Sequence, residues 1–483
     1  MKKLFFLLTT LTTSLFAMAQ TYQPNWPSLN QRGIPDWFHQ DKFGIFIHWG
    51  AYAVPAYAPV IANSGYSYSE WYWYRLHEKQ KDFKAFHDKN YGPDFQYPQF
   101  EKSFKAELFD PQQWAHVFKQ SGARYVVLTS KHHEGYALWP SAEADRTWGR
   151  PWNAVSGTPQ RDLLGDLTQA VRDSGLKMGY YYSLYEWFNP LWLQDKKRYV
   201  AEHMTPQFKD LVTKYQPSLI FSDGEWDLTD TAWKSQELLS WLFNESPVAK
   251  EVVVNDRWGS NTRGKNTGAT YTTSEYGAGM DANVIWEESR GIGHSYGYNR
   301  RENLEDYKTS RDLILILVDV VARGGNLLLD IGPTADGRIP VIMQQRLTDM
   351  GSWLQTNGEA IYGTTAWKQP YQWSRGLQPQ KKDASYMADY NISEMIRPKK
   401  DTAHIEQFFT RKGKDLYCIV PAYQKQVRIR NFKAPAGAGV LLLANNQKLS
   451  WKQSGSDCVI DLSVMKPADI PAELFVIKLQ NAL

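Results

Sequence analysis

The residues of this chain that could do chemistry stand where apolar runs end. Asp223 closes the run Leu219-Ile220-Phe221-Ser222 and is followed at once by Gly224, so its carboxylate sits where a buried strand stops and the chain turns. Capping a helix is the ordinary use of such an aspartate. Here Asp227, Thr229 and Asp230 come before any helical pattern, and Trp226 stands beside the acid. Comparable strand ends carry His48, His132 and His133, Tyr181, Arg257 and Glu275. Each has a bland use: a core histidine with one satisfied nitrogen, or an Arg257 that pairs with Asp256 or stacks on Trp258. In extended chain the rings of His132 and His133 point to opposite sides, which argues against a metal held by both. Together, two carboxylates, several neutral donors and an aromatic wall describe a pocket suited to exo-acting sugar hydrolysis. We expect neither metal nor cofactor.

For these residues to converge, the elements between them must form one scaffold. Apolar strand patterns at 43–50, 124–129, 176–182, 218–223, 252–255, 269–274 and 326–331 alternate with helical ones. The helices read from their caps: Asp110 with Pro111 before Trp114, Val117 and Phe118, and Asp162 before Leu163, Leu164, Leu167 and Val171. Further helical patterns lie at 199–215, 235–243 and 310–322. This alternation predicts an α/β fold with a (β/α)8-like barrel over residues 20–365, whose strand C-termini share one face. No glycine-rich phosphate loop opens the chain, which disfavours a doubly wound sheet. From 366 to 483 the segments are short and strand-like, and they predict a C-terminal antiparallel β-sandwich. Cys418 and Cys458 both fall in strand-like flanks there, so a disulfide and a pair of buried thiols are both open.

The 483 residues are too many for one small core, and 42% hydrophobic content excludes global disorder. Aromatic content of 14%, with 20 Trp, suits a chain that packs sugar CH faces on rings. Residues 1–19 read as a signal peptide: Lys2 and Lys3, an apolar run, then Ala17-Met18-Ala19 before a cleavage point. Losing both lysines takes the formal charge from +4 to +2, which argues against a nucleic-acid partner. We expect export, with the periplasm as destination and secretion as the alternative. No later stretch is long and apolar enough to span a bilayer.

The stretches IHWG (47–50), SEWYWYR (69–75), TSKHHEGYALW (129–139), GYYYSLYEWFNP (179–190), FSDGEW (221–226), VNDRWG (254–259), SYGYNR (295–300) and NLLLDIGPTADG (326–337) resemble those of family 29 α-L-fucosidases, here a bacterial, exported member. The resemblance runs in order through most of residues 25–365. It implies a (β/α)8-like catalytic domain followed by a β-sandwich, and a retaining hydrolase that releases terminal α-L-fucose from glycans. It also implies Asp223 as nucleophile, with His48, His132, His133, Tyr181 and Arg257 binding the sugar hydroxyls. Glu70 and Trp71 would close one side, and Tyr296 would face the fucose methyl. Phe221 stands where the family often has Trp and is left out.

A retaining mechanism needs a second carboxyl roughly 5 to 5.5 Å from the nucleophile. Glu275 closes a β-branched segment on the active face, whereas Glu287 reads as a helix start beside Glu288. The strand-end position favours Glu275 as acid/base, with Glu287 as the alternative. Two other functions remain open: a non-catalytic fucose- or glycan-binding protein, and an exo-glycosidase of the same fold acting on a related sugar such as an α-L-galactoside.

Overall fold

A computed structural model describes residues 21–61, 67–275, 280–378, 391–465 and 474–483; residues 1–19, read above as a signal peptide, lie outside the described residues. Eight parallel strands form the first sheet: β1 Phe43–Ile47, β2 Tyr125–Lys131, β3 Lys177–Ser183, β4 Leu219–Asp223, β5 Val253–Val254, β6 Thr272–Glu275, β7 Trp286–Gly291 and β8 Asn326–Ile331. Their order is β5-β4-β3-β2-β1-β8-β7-β6. A parallel bridge between Asn255 and Tyr271 spans the gap between β5 and β6, so the sheet curls into a (β/α)8-like barrel.

Alternation along the strands sorts side chains between two cores. Phe46, Tyr125, Val127, Tyr181, Leu219, Phe221 and Leu328 fill the barrel interior. Their neighbours Ile45, Val126, Leu128, Tyr180, Tyr182, Ile220 and Leu329 pack outward on the helical layer. Asp223 shares the parity of Leu219 and Phe221, so it emerges inward at the top of β4. The helix Pro111–Gln120 begins as its sequence predicts, with Asp110 accepting from the N–H groups of Gln112 and Gln113. Asp162 caps Leu163–Asp173 in the same way through Gly165 N–H. The helical pattern at 199–215 belongs to a longer path with one wide turn at Val200–Met204. Pro206 stands two residues beyond it, and a proline that cannot donate explains the local loosening.

Beyond the barrel, β9 Thr365–Trp373, β10 Ile405–Lys412, β11 Asp415–Val420, β12 Gln426–Ile429, β13 Gly439–Leu442, β14 Gln447–Lys448, β15 Trp451–Ser454, β16 Asp457–Asp461 and β17 Phe475–Gln480 are antiparallel. They make sheets of six and three strands. Phe409, Leu416, Val427, Ile429, Ile460 and Ile477 share the core between them. Cys418 and Cys458 sit in that core as buried free thiols on opposite sheets. Burial pushes the Cys458 thiol up to about 11, which keeps it protonated. Trp353 Nε1 donates to Leu474 O at 2.7 Å and ties the last barrel helix to these sheets.

Candidate active site

Arg257, just past β5, organises the site. Its Nη1 donates to Asp223 Oδ1 at 2.9 Å, Nη2 donates to Glu275 Oε1, and Nε donates to Thr273 Oγ1 at 3.1 Å. The guanidinium lies 4.9 Å from the centre of the Phe221 ring. Asp256 turns away instead and accepts from Thr273 and Gly264, so the two adjacent charges never pair. Burial by itself would raise the Asp223 carboxyl. The Arg257 guanidinium outweighs it and holds the group well below the usual carboxylate range. Asp223 also accepts from Tyr181 OH at 2.9 Å. It is therefore an ionised, aimed carboxylate, not a helix cap.

His133 is fixed by its neighbour on β3. Ser183 Oγ donates to Tyr185 O at 2.5 Å, so at 2.6 Å from His133 Nδ1 it must accept. Nδ1 carries the proton, and Nε2 lies 3.3 Å from Tyr181 OH and 3.5 Å from Asp223 Oδ2. Burial and the adjacent His132 lower its pKa to about 4, so the ring is a neutral acceptor near neutral pH. The His132 and His133 rings lie 4.2 Å apart and both line the pocket. The expected opposition of the two rings fails because β2 ends at Lys131, and a turn replaces strand alternation at this pair.

On the opposite wall, His48 Nδ1 lies 2.6 Å from Asp330 Oδ1, which leaves Nε2 for the pocket. Burial lowers the pKa of His48 and raises that of Asp330, so net charge is disfavoured on both. Glu70 is buried, its carboxyl raised by desolvation, and it accepts from Gly297 N at 2.9 Å and Ser295 Oγ at 3.3 Å. Those bonds hold the loop that presents Tyr296, whose ring stands 4.9 Å from His48. Trp71 and Trp226 flank the mouth with ring centres 5.9 Å apart. The pocket so formed offers an ionised carboxylate, a second carboxyl on the same guanidinium, neutral imidazoles and ring faces. That set can bind one polyhydroxylated ring and act on it.

The sequence profile described as "Alpha-L-fucosidase" matches residues 9–359. The chain belongs to the α-L-fucosidase family. As a family member it is a glycoside hydrolase. It is 45% identical over 361 residues to "Alpha-L-fucosidase" of Dictyostelium discoideum, covering 72% of this chain and 76% of that one. With "Tissue alpha-L-fucosidase" of Bos taurus it shares 38% over 465 residues, covering 94% and 89%. Among solved structures, Thermotoga maritima α-fucosidase with a mechanism-based inhibitor is 32% identical, with a TM-score of 0.76 and coverage of 95% and 99%.

In this fucosidase-family site the pocket gathers His48, Glu70, Trp71, His132, His133, Tyr181, Asp223, Arg257, Glu275 and Tyr296, and leaves out Glu287. Glu287 begins no helix: it lies on β7, fully buried, and its neighbour Glu288 is equally buried, bonded to Arg290 and Ser274. The register explains the difference. Glu275 is level with Ser289, whereas Glu287 is level with Thr273, one inward layer or roughly 6.6 Å deeper. There Tyr125 OH donates to Glu287 at 2.5 Å, and burial raises its carboxyl to about 7.

Five pocket residues were not among the site candidates: Phe46, Tyr68, Phe221, Trp226 and Ser289. Phe221 and Ser289 had a usable signal, since each lies two residues before or after an inward polar position on its strand. Asp330, which orients His48, had the signal of Asp223: a carboxylate at the end of a buried strand. Beneath the site, Glu186 joins Lys131 Nζ at 2.8 Å and His203 Nε2 at 2.6 Å, all three fully buried. Burial would raise the Glu186 carboxyl, but His203 and Lys131 pull it far below the ordinary range. Nothing in local sequence pairs Glu186 with residues 55 positions before it and 17 after it in this way.

Proposed function

We propose that this protein is an exo-acting α-L-fucosidase that removes terminal α-L-fucose from glycans with retention of configuration. The observation that carries the reading is Arg257 donating to Asp223 and Glu275 at once. Two carboxylates sharing one guanidinium fit a retaining pair, whose carboxyls stand roughly 5 to 5.5 Å apart, better than an inverting pair at roughly 6.5 to 9.5 Å. Asp223, ionised and aimed, attacks the anomeric carbon as Glu275 protonates the departing oxygen, giving a fucosyl-enzyme ester. Water then attacks the same carbon, Glu275 takes its proton, and the Asp223–sugar bond breaks. His48, His132, His133 and Tyr181 bind ring hydroxyls, and Tyr296 faces the sugar's apolar edge. The likeness to a fucosidase solved with a mechanism-based inhibitor supports a covalent intermediate.

We further read the chain as exported through the basic start and Ala17-Met18-Ala19, with the periplasm as destination. N-terminal sequencing beginning at Gln20 in a periplasmic fraction is the expected result; an intact Met1 in the cytosol refutes it. The catalytic reading is tested by proton NMR during hydrolysis of 4-nitrophenyl α-L-fucoside. α-Fucose appearing first is expected. β-Fucose first means inversion and removes the nucleophile role from Asp223, and no release points to a binding protein or another sugar. Azide should rescue Glu275→Ala as the α-fucosyl azide; rescue in Glu287→Ala instead would transfer the acid/base role.

A further inference from the structure

Each histidine of the pocket has a scaffold oxygen behind its Nδ1. For His48 and His133 these are Asp330 Oδ1 and Ser183 Oγ, both at 2.6 Å. For His132 it is Glu134, whose Oε2 lies 3.6 Å from Nδ1, with both side chains buried. The local sequence brings the two together. Gly135 N donates to His132 O at 3.0 Å and closes a turn in which Gly135 takes a φ of 81°, a conformation glycine adopts without strain. A side chain at residue 50 would stand 2.9 Å from Glu134 Oε1, so the bare backbone of Gly50 leaves the room that the carboxyl fills. Yet this carboxyl is poorly provided for. Among the described residues neither of its oxygens has a hydrogen-bond partner, and neither has His132 Nδ1. Buried polar groups are paired as a rule, and one that is not keeps its desolvation penalty. Burial accordingly raises the Glu134 carboxyl, and His132 draws it back toward ionisation. A fold built for stability alone would place an apolar side chain here; residues that break local consistency gather at functional sites.

We propose that Glu134 is a positioning residue: it holds the imidazole proton of His132 on Nδ1, so that Nε2 accepts a hydrogen bond from a hydroxyl of the bound sugar. This rests on the exo-fucosidase reading, in which His132 is one of the sugar's partners. Glu134 does not line the pocket, so it acts through His132. The ring plane is set already by Tyr181, stacked on His132 with centres 5.5 Å apart. Which nitrogen carries the proton is what remains, and a carboxylate beside one nitrogen decides it. The 3.6 Å separation is just beyond hydrogen-bond reach. Contacts of this kind are often long in a free site and tighten around the ligand. All three imidazoles then keep Nδ1 for the scaffold and Nε2 for the pocket.

Two-bond proton–nitrogen correlation spectra of the full-length mature protein, grown with isotope-labelled histidine, read the tautomer directly. The His132 signals are assigned by their loss in His132→Gln. Protonated Nδ1 in the parent is expected, with a shift toward protonated Nε2 in Glu134→Met. In the same variant kcat/KM on 4-nitrophenyl α-L-fucoside should fall about 10- to 100-fold, while the melting temperature stays level or rises because a buried, unpaired carboxyl has gone. Protonated Nε2 in the parent, unchanged kcat/KM in the variant, or a fall in kcat/KM with the tautomer unmoved would each overturn the assignment. Should Glu134→Met fail to fold, the parent spectrum alone still decides. A parent that leaves the fucoside intact would instead refute the fucosidase reading beneath the proposal, whatever its tautomer.

Discussion

Replacing Arg257 by Met tests the core of the site. The side chain keeps an unbranched apolar stem and loses the charged guanidinium, which leaves Asp223 and Glu275, each only 8% exposed, without their common partner. At an effective dielectric of about 20, a unit charge at about 4 Å is worth about 4 kcal/mol. Breaking a buried pair costs about 3–5 kcal/mol because the remaining charge is stranded. Two consequences follow. Asp223 is held low in the folded protein, so its stabilising contribution is present above its unfolded pKa and is lost as pH falls toward the folded one. In Arg257→Met that contribution disappears, and the acid-side stability profile flattens as the melting point drops. Activity needs Asp223 ionised, so the acid limb of kcat/KM moves to higher pH and the rate at neutral pH falls about a thousandfold. Thermal unfolding and pH-rate profiles on 4-nitrophenyl α-L-fucoside measure both effects. A variant with kcat/KM within threefold of the parent and an unmoved acid limb would refute the reasoning.

Glu287→Gln should keep kcat and change stability. With its carboxyl raised to about 7, ionisation of Glu287 costs the fold up to roughly 3 kcal/mol as pH rises from about 4.5 through 7, so the variant should gain on the parent at pH 8 in urea unfolding. Asp330→Asn should weaken the 2.6 Å hold on His48 and lower kcat/KM about 10- to 100-fold without loss of melting temperature; unchanged kinetics would show that His48 is held by other contacts. Glu186→Gln strands Lys131 in the core, and chemical denaturation should report a loss of about 3–5 kcal/mol near pH 7. Because the Glu186 carboxyl is held low, its contribution is present at neutral pH and fades only in strong acid, so the gap between the two proteins should narrow there.

Sequence alone determined what strand periodicity and strand ends could express. Alternating apolar runs separated by capped helices gave the barrel, and the short turn-bounded strands after it gave the antiparallel sheets. Asp223, Arg257 and Glu275 were legible because a polar group directly after a buried run must emerge at the strand's C-terminal end, where barrel strands converge. Tertiary structure decided depth, direction and pairing. The local pattern read Glu287 as a helix start, and only the β6–β7 register shows it on a strand, a layer below Glu275. His132 and His133 share the pocket because β2 ends one residue earlier, which local propensity does not fix. Arg257 had Asp256 and Trp258 as near neighbours, yet it reaches 34 positions back to Asp223 and 18 forward to Glu275. Strand period is a property of neighbouring residues, whereas these contacts depend on how eight separate strands are staggered around one axis.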